Sequence, residues 1–316
     1  MKTIIGIDGG GTKTEFILCN ETGHIQKRLL YGTTNPVDIG LDKACDILKK
    51  GICELLEKEN GETLAIDGMF IGLSGGSVSD NAAIIHKYIH ETFPKANFSN
   101  SSDAMNAISV GLLEDDGVIL IAGTGSVAFA RSGNSLNRVG GWGYLFDGAG
   151  GGYDLGAGVI SVVLKELDGT GEKTLLTPLL KKELGMNADM ALYQFYKKGK
   201  RFIASFAPLV FTAFKQGDSV AEKLLDKTIL HWTELIKKAS TYVPHTKKLA
   251  IVGGLFKEKE ILLPLLEKKL SLEKEFIIPS LPPVFGALRE AFKLADVKVD
   301  KIIENNFFES YKNFIC

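Results

Sequence analysis

Apolar residues in this chain follow two alternating rhythms. Residues 3–8, 14–20 and 25–31 are short apolar-rich runs broken by tight turns, the second turn at Glu21-Thr22-Gly23, and they predict three strands. Residues 37–60 change to helical period, with Val37, Ile39, Leu41, Ala44, Leu48, Ile52, Leu55 and Leu56 on one broad face. A continuously apolar run over residues 68–73 predicts a buried strand that ends in Ser74-Gly75-Gly76. Residues 80–92 predict a helix, residues 97–99 a short extended segment and residues 103–112 another helix. The pattern then restarts. Strands are expected at 117–122, 126–131 and 136–140, followed by a mostly helical stretch from 154 to 242. A strand ending in Gly253-Gly254, a helix near 258–269, a strand near 275–278 and a helix over 284–294 complete the chain.

Three strands followed by alternating helix and strand is a ribonuclease-H-like order, and here it occurs twice. The reading is an α/β protein of two such domains. The restart near Asp115-Asp116-Gly117 divides residues 1–114 from 115–316, with a final helix from about 290 expected to pack back on the first half. No long linker separates the halves, so a continuous cleft between them is expected. The length of 316 residues suits two domains with sizeable cores. The formal net charge of −1 and the lack of a basic cluster argue against nucleic acid or an anionic membrane as partner. No apolar run reaches the length of a membrane span. The strand pattern starts at the N-terminus, which leaves no signal-peptide pattern. Cys19, Cys45, Cys53 and Cys316 form no CxxC and no regular framework, as expected in a reducing cytoplasm.

Candidate chemistry centres on a repeated pattern: IIGIDGGGTKTEFIL near the start and VILIAGTGSVAFA in the second half. Each is a strand, a Gly-rich turn with hydroxyl residues, and a second strand. Such a hairpin lets backbone N–H groups close around an anion without a side chain in the way. Gly9, Gly10 and Gly11 can bend over a phosphate, Thr12 can add a hydroxyl and Lys13 a charge. Asp8, at the end of the first strand, could hold Mg²⁺ through water. The loop is neither a Walker A loop nor a dinucleotide fingerprint, because Thr12 follows Gly11 and position 14 is Thr. Gly123, Thr124, Gly125 and Ser126 repeat the logic. Plain tight turns remain the alternative for both.

Asp103 opens a helix, so it reads either as a general base or as a cap. Asn35-Pro36 likewise fits a helix start. Ser74, Gly75 and Gly76 follow a buried strand at its carboxyl end, where open α/β sheets bind ligands. Gly140-Gly141-Trp142-Gly143 places an aromatic among glycines, fit either to line a sugar face or to pack on a turn. Gly148 to Gly152 could bind a ligand by close backbone approach or serve as a hinge. His86 and His90 have a metal-capable spacing but no third ligand, and read as surface or packing residues.

Together these residues resemble the superfamily of acetate and sugar kinases, heat-shock chaperones and actin. Within it they are most similar to the group that joins N-acetylglucosamine kinases and 2-hydroxyacyl-CoA dehydratase activators. IGIDGGGTKTE resembles its first phosphate motif, LIAGTGSVA its second and AIVGG its adenosine motif. The resemblance implies an actin/hexokinase-type fold, ATP and Mg²⁺ as cofactors, and a homodimer. It implies adenosine contacts near Gly253, Gly254 and Leu255, and at Ala204. N-acetylglucosamine kinases share more: a sugar-binding Asn matching Asn35, an LSGG string matching 73–76, a catalytic Asp matching Asp103, and GGWG matching 140–143. The resemblance thus makes Asp103 the base. One departure stands out. Where the family has a GDEGS-like string, whose Asp contacts sugar hydroxyls, this chain has YLFDGAGGG, with Asp147 one position early and Gly148 and Ala149 in place of the acidic pair; either Asp147 takes over the sugar contact or the contact is missing. Loss of carboxylates there suits a substrate that is itself anionic, such as N-acetylmuramic acid.

The implied function is ATP-dependent phosphorylation of an N-acetylated amino sugar at the 6-hydroxyl, with domain closure on sugar binding to exclude water. A glucose or glucosamine kinase is the nearest alternative. An activator ATPase is another, but it needs cysteines for an iron–sulfur cluster, and none follows GTGS here. A sugar-sensing regulator would need a DNA-binding appendage.

Overall fold

The computed structural model describes residues 1–57, 64–147, 149–271 and 273–314. From the N-terminus the elements are β1 (Thr3–Gly9), β2 (Lys13–Asn20), β3 (Ile25–Gly32), α1 (Pro36–Ile39), α2 (Leu41–Leu56), β4 (Gly68–Leu73), α3 (Asn81–Thr92), β5 (Phe98–Ser101) and α4 (Asp103–Gly111). Then come β6 (Gly117–Ala122), β7 (Ser126–Ser132), β8 (Ser135–Gly140), α5 (Gly152–Leu167), α6 (Leu176–Leu184), α7 (Leu192–Ala204), α8 (Ala207–Lys215) and α9 (Ser219–Ser240). The chain finishes with β9 (Lys248–Val252), α10 (Lys259–Leu270), β10 (Glu275–Ile277), α11 (Pro283–Leu294) and α12 (Lys301–Lys312).

Two five-stranded sheets result, ordered β3-β2-β1-β4-β5 and β8-β7-β6-β9-β10. In each, the first three strands form an antiparallel meander and the last two add in parallel. The chain divides into two compact units: Met1–Leu113 with Pro279–Cys316, and Glu114–Ile278. This corrects the expectation that 115–316 forms one domain. The return starts at Pro279 rather than near 290, and α11 as well as α12 belongs to the first unit. The apolar face of α11 explains it: Val284, Phe285, Leu288 and Phe292 are fully buried in a cluster with Ile4, Ile17 and Phe70 of the first sheet.

In the first unit β1 is buried on both faces. Ile5 and Ile7 face a cluster with Leu48, Ile52 and Leu55 of α2, while Ile4 faces the cluster of α11. Burying a side chain such as Leu48 contributes about 1.5–3 kcal/mol. The helix expected over 37–60 is broken at Gly40, whose φ of 86° ends α1 and precedes α2. Residues 58–60 of that expectation lie outside the described residues. In the second unit the long helical stretch divides into five helices, α5 to α9, around a core with Trp232 fully buried. Among the described residues no helix is long and apolar enough to cross a membrane.

Candidate functional site

In the first unit the turn between β1 and β2 is closed by the Gly10 N–H donating to Lys13 O at 2.9 Å. Gly9 is glycine for packing, since a Cβ there would fall 2.3 Å from Leu73 and 2.5 Å from the Thr34 hydroxyl. Gly10 and Gly11 are different. Neither has positive φ; a Cβ on Gly10 would come no closer than 3.5 Å to Lys13 O, and one on Gly11 would meet nothing within 4 Å. The same holds in the second unit, where Gly123 and Gly125 at the tip of the β6–β7 hairpin also meet nothing. Neither packing nor backbone conformation demands glycine at these four tips. What glycine leaves there is open backbone.

Asp8 lies at the end of β1, beside Gly72 of β4 in register. Its Oδ1 accepts the side-chain amide of Asn106 at 2.7 Å. Burial pushes its carboxyl up to about 6, against the lowering effect of that hydrogen bond, with Glu15 adding to the rise and Lys13 opposing it. Asp103 is the first helical residue of α4, not its cap. The cap position is Ser102, whose side chain makes no capping bond. Burial first, and then the Asp8 charge, push the Asp103 carboxyl up to about 7, opposed by bonds from the N–H groups of Ala104 and Asp103 and the Ser74 hydroxyl. Two carboxylates with raised values therefore sit within electrostatic reach of each other.

The other first-unit residues gather here. Ser74 N–H donates to Gly9 O at 2.7 Å, which joins the end of β4 to the hairpin. Gly75 has φ of 73°, and a Cβ there would fall 2.3 Å from Asn35 Oδ1. Gly76 N–H donates to Leu73 O at 2.9 Å and closes that turn. Asn35 caps α1 by accepting from Val37 N–H at 2.9 Å, and its amide donates to Asp38 at 3.2 Å. Thr33 and Thr34 tie this segment to the hairpin, through Gly10 O at 3.1 Å and the Thr14 hydroxyl at 2.8 Å. Asn35, Ser74, Gly75, Asp103 and Asp8 thus form one neighbourhood. Lys13 extends outward, 3.8 Å from Glu15, and Thr12 is exposed.

In the second unit Gly151, Gly152 and Tyr153 buttress the β6–β7 hairpin. Gly152 N–H donates to Gly123 O at 2.8 Å and Tyr153 N–H to Thr124 O at 2.9 Å. A Cβ on Gly151 would fall 2.4 Å from Thr124 O. The close backbone approach expected of this segment is therefore to the protein's own hairpin. The Ser126 hydroxyl donates to Ala149 O at 2.8 Å and is buried, so it serves this packing. Trp232 holds the same segment by donating to Gly150 O at 2.7 Å. Gly253, with φ of 121°, lies against Ala122, where a Cβ would fall 2.1 Å from the carbonyl oxygen. Gly254 is open, Leu255 is buried in the core, and Ala204 ends α7 near Gly152. The second hairpin, Gly253 and Ala204 are thereby brought together.

Trp142 is 69% exposed, and Arg138, which donates to Gly140 O and Gly141 O, sits over its ring at 4.6 Å. Gly141 and Gly143, both at positive φ, shape the bend. Asp147 turns back into its own loop, accepting from Trp142 N–H at 3.3 Å with His231 Nε2 4.0 Å away. Gly148 lies outside the described residues. His86 stacks on Phe98 and bonds Asn100 at 3.0 Å, a packing role. Asn106 escaped the sequence reading. Its signal was a lone amide among small and apolar residues, one turn after Asp103.

The sequence pattern of the BadF/BadG/BcrA/BcrD ATPase family matches residues 5–291. An N-acetylmuramic acid/N-acetylglucosamine kinase from Clostridium acetobutylicum is 30% identical over 71% of this chain and 75% of its own. An N-acetyl-D-glucosamine kinase from Dictyostelium discoideum is 30% identical over 84% of this chain and 89% of its own. Among solved structures, a ROK family glucokinase from Streptomyces griseus, in complex with glucose and AMPPNP, shares 18% identity at TM-score 0.56 over 92% of this chain and 98% of that one. A provisionally named N-acetylglucosamine kinase from Porphyromonas gingivalis shares 19% at TM-score 0.74 over 91% and 98%. These likenesses establish the α/β fold of the actin and hexokinase type, with two ribonuclease-H-like sheets. On the match from residue 5 to residue 291, the chain belongs to the BadF/BadG/BcrA/BcrD ATPase family.

Proposed function

We propose that this protein is an ATP-dependent amino-sugar kinase that phosphorylates N-acetylglucosamine, and N-acetylmuramic acid with it, at the 6-hydroxyl. The carrying observation is the set of four hairpin-tip glycines, Gly10, Gly11, Gly123 and Gly125, that the fold itself does not require. Bare backbone at two matching hairpins is what phosphate oxygens need. The kinase names of the relatives from Clostridium acetobutylicum and Dictyostelium discoideum support the amino sugar. A glucosamine kinase from Vibrio cholerae, 26% identical, keeps the unacetylated sugar as the competing substrate.

Asp103 takes the proton of the 6-hydroxyl as that oxygen attacks the γ-phosphorus. The bond from the γ-phosphorus to the bridging oxygen breaks, ADP leaves, and the proton stays on Asp103 until solvent removes it. A carboxyl raised to about 7 is well matched to this task near neutral pH. Ser74, bonded to Asp103, and Asn35, packed on Gly75, would hold sugar hydroxyls. Backbone N–H groups of the hairpins, with Thr12, Lys13 and Thr124, would stabilise charge on the transferring group. A hard, partly exposed carboxylate such as Asp8 fits Mg²⁺ held through water, and the ion when bound would neutralise phosphate charge. One oxygen of Asp147 is turned into its own loop, and weaker competition from that carboxylate favours a sugar carrying its own carboxylate.

The test is ADP release with MgATP and N-acetylglucosamine, N-acetylmuramic acid, glucosamine, glucose or no sugar, with phosphorus NMR of the product. Release that requires an N-acetylated sugar, with a 6-phosphate product, supports the reading. Sugar-independent ATP turnover together with bound iron would replace it with the activator ATPase.

A further inference from the structure

Asn106 is fully buried on α4, one helical turn beyond Asp103, and the mechanism above makes no use of it. Its Nδ2 donates to Asp8 Oδ1 at 2.7 Å and approaches Ile7 O at 3.4 Å. Its Oδ1 is buried with no hydrogen-bond partner. The surroundings are cut to fit it. Gly72, the register partner of Asp8, could not carry a Cβ, which would fall 2.2 Å from the Asn106 side chain. A Cβ on Gly286 of α11 would fall 1.8 Å from the Asn106 main-chain oxygen, so α11 packs on the backbone of α4 here and holds position 106 in place. An apolar side chain of similar size would fill this space and strand no acceptor. The amide strands one, a cost that packing alone does not explain. What the amide adds is an N–H on one oxygen of Asp8.

We propose that Asn106 is a positioning residue for Asp8: it fixes one carboxylate oxygen, leaves the other for the Mg²⁺–phosphate group, and does so without a third negative charge beside Asp103. The inference rests on the kinase reading for the use of that group. One helix then sets both carboxylates, Asp103 by its first turn and Asp8 by its second. A carboxylate at position 106 would repel Asp8, and an alkyl group would leave it unguided.

Titration calorimetry of ADP, with and without Mg²⁺, tests this on Asn106→Ala and on the near-isosteric Asn106→Asp. Partners behind a metal-facing group typically contribute about 10–100-fold in metal affinity or activity. We therefore expect the Mg²⁺-dependent tightening of ADP to fall by about 10-fold or more, while ADP affinity without Mg²⁺ holds within about two-fold. In the kinase assay kcat falls, the apparent KM for Mg²⁺ rises and the KM for sugar stays. In an Asp8→Asn background, Asn106→Ala should cause no further loss of Mg²⁺ coupling. Asn106→Val, which removes the donor but fills more of the space, replaces Ala if that variant fails to fold. Unchanged Mg²⁺ coupling in a folded variant, or an equal loss for ADP alone and MgADP, would overturn the proposal. Wild-type protein that shows no sugar-dependent ADP release would sink the kinase reading instead, while the ADP titrations still decide Asn106.

Discussion

Replacing Asp103 with Asn should abolish most turnover and make the protein more stable, by an amount that depends on pH. The Asp103 carboxyl is pushed from 3.8 up to about 7 by burial and by the neighbouring Asp8 charge. At about 1.36 kcal/mol per unit, that rise corresponds to about 4 kcal/mol held against the ionised form. Solvent relaxation and the loss of an acceptor oxygen reduce the net gain on substitution to about 1–3 kcal/mol. The folded-state value lies above the unfolded one. Protonation therefore stabilises the fold fully below 3.8, and the benefit is lost as pH rises through about 7. An amide does not titrate, so the gap between variant and wild type should widen from pH 5 to pH 8. At about 2–4 °C per kcal/mol, the variant should melt about 2–12 °C higher at the alkaline end. Differential scanning calorimetry at the two pH values measures this, beside a turnover assay in which loss should reach about 10²-fold. A variant no more stable at pH 8 than at pH 5, relative to wild type, would refute the claim that Asp103 is held ionised at a cost.

In wild-type enzyme, kcat/KM for the sugar should fall on the acid side with a midpoint near the Asp103 value of about 7, because the base must be deprotonated; a flat profile down to pH 5 would remove Asp103 as the base. Gly125→Ala and Gly151→Ala should separate ligand space from packing space. The first places a Cβ in the open and should raise the KM for ATP with little change in melting temperature. The second drives a Cβ to 2.4 Å from Thr124 O and should destabilise by about 1–3 kcal/mol in denaturant titration. Trp232→Phe removes the bond to Gly150 O and should cost about 1–3 kcal/mol, since it strands a buried carbonyl, with the KM for ATP rising alongside.

The strands and both hairpins were legible because their apolar runs and glycines are local signals. The topological repeat was visible for the same reason, as one order that starts twice. The break at Gly40 was not legible, because Val37, Ile39 and Leu41 continue an apolar face across it. The return of α11 to the first unit depends on Ile4, Ile17 and Phe70 needing cover, a long-range demand that periodicity cannot express. Asp103 could not be told from a cap by spacing; the resemblance pointed to a base, and its place one residue past the Ser102 cap and its burial beside Asp8 agree with that. Gly151 reads in sequence as part of a ligand-binding segment or a hinge, and its packing against Thr124 and Gly125 depends on a contact between distant segments. Asn106 was unreadable because its partner, Asp8, is distant in sequence.

The first unit is assembled from both ends of the chain, whereas Glu114–Ile278 is continuous. During vectorial synthesis the inserted unit has all its residues available before the first one does. Until α11 leaves the ribosome, Ile4, Ile17 and Phe70 lack most of the cover on that face of their sheet, with only Met105 and Val110 of α4 already in place. The nascent chain must therefore wait with a sticky surface, an opening for chaperones or for aggregation. A circular permutant that begins at Pro279 and joins the old termini through a linker would make the first unit continuous and end that wait.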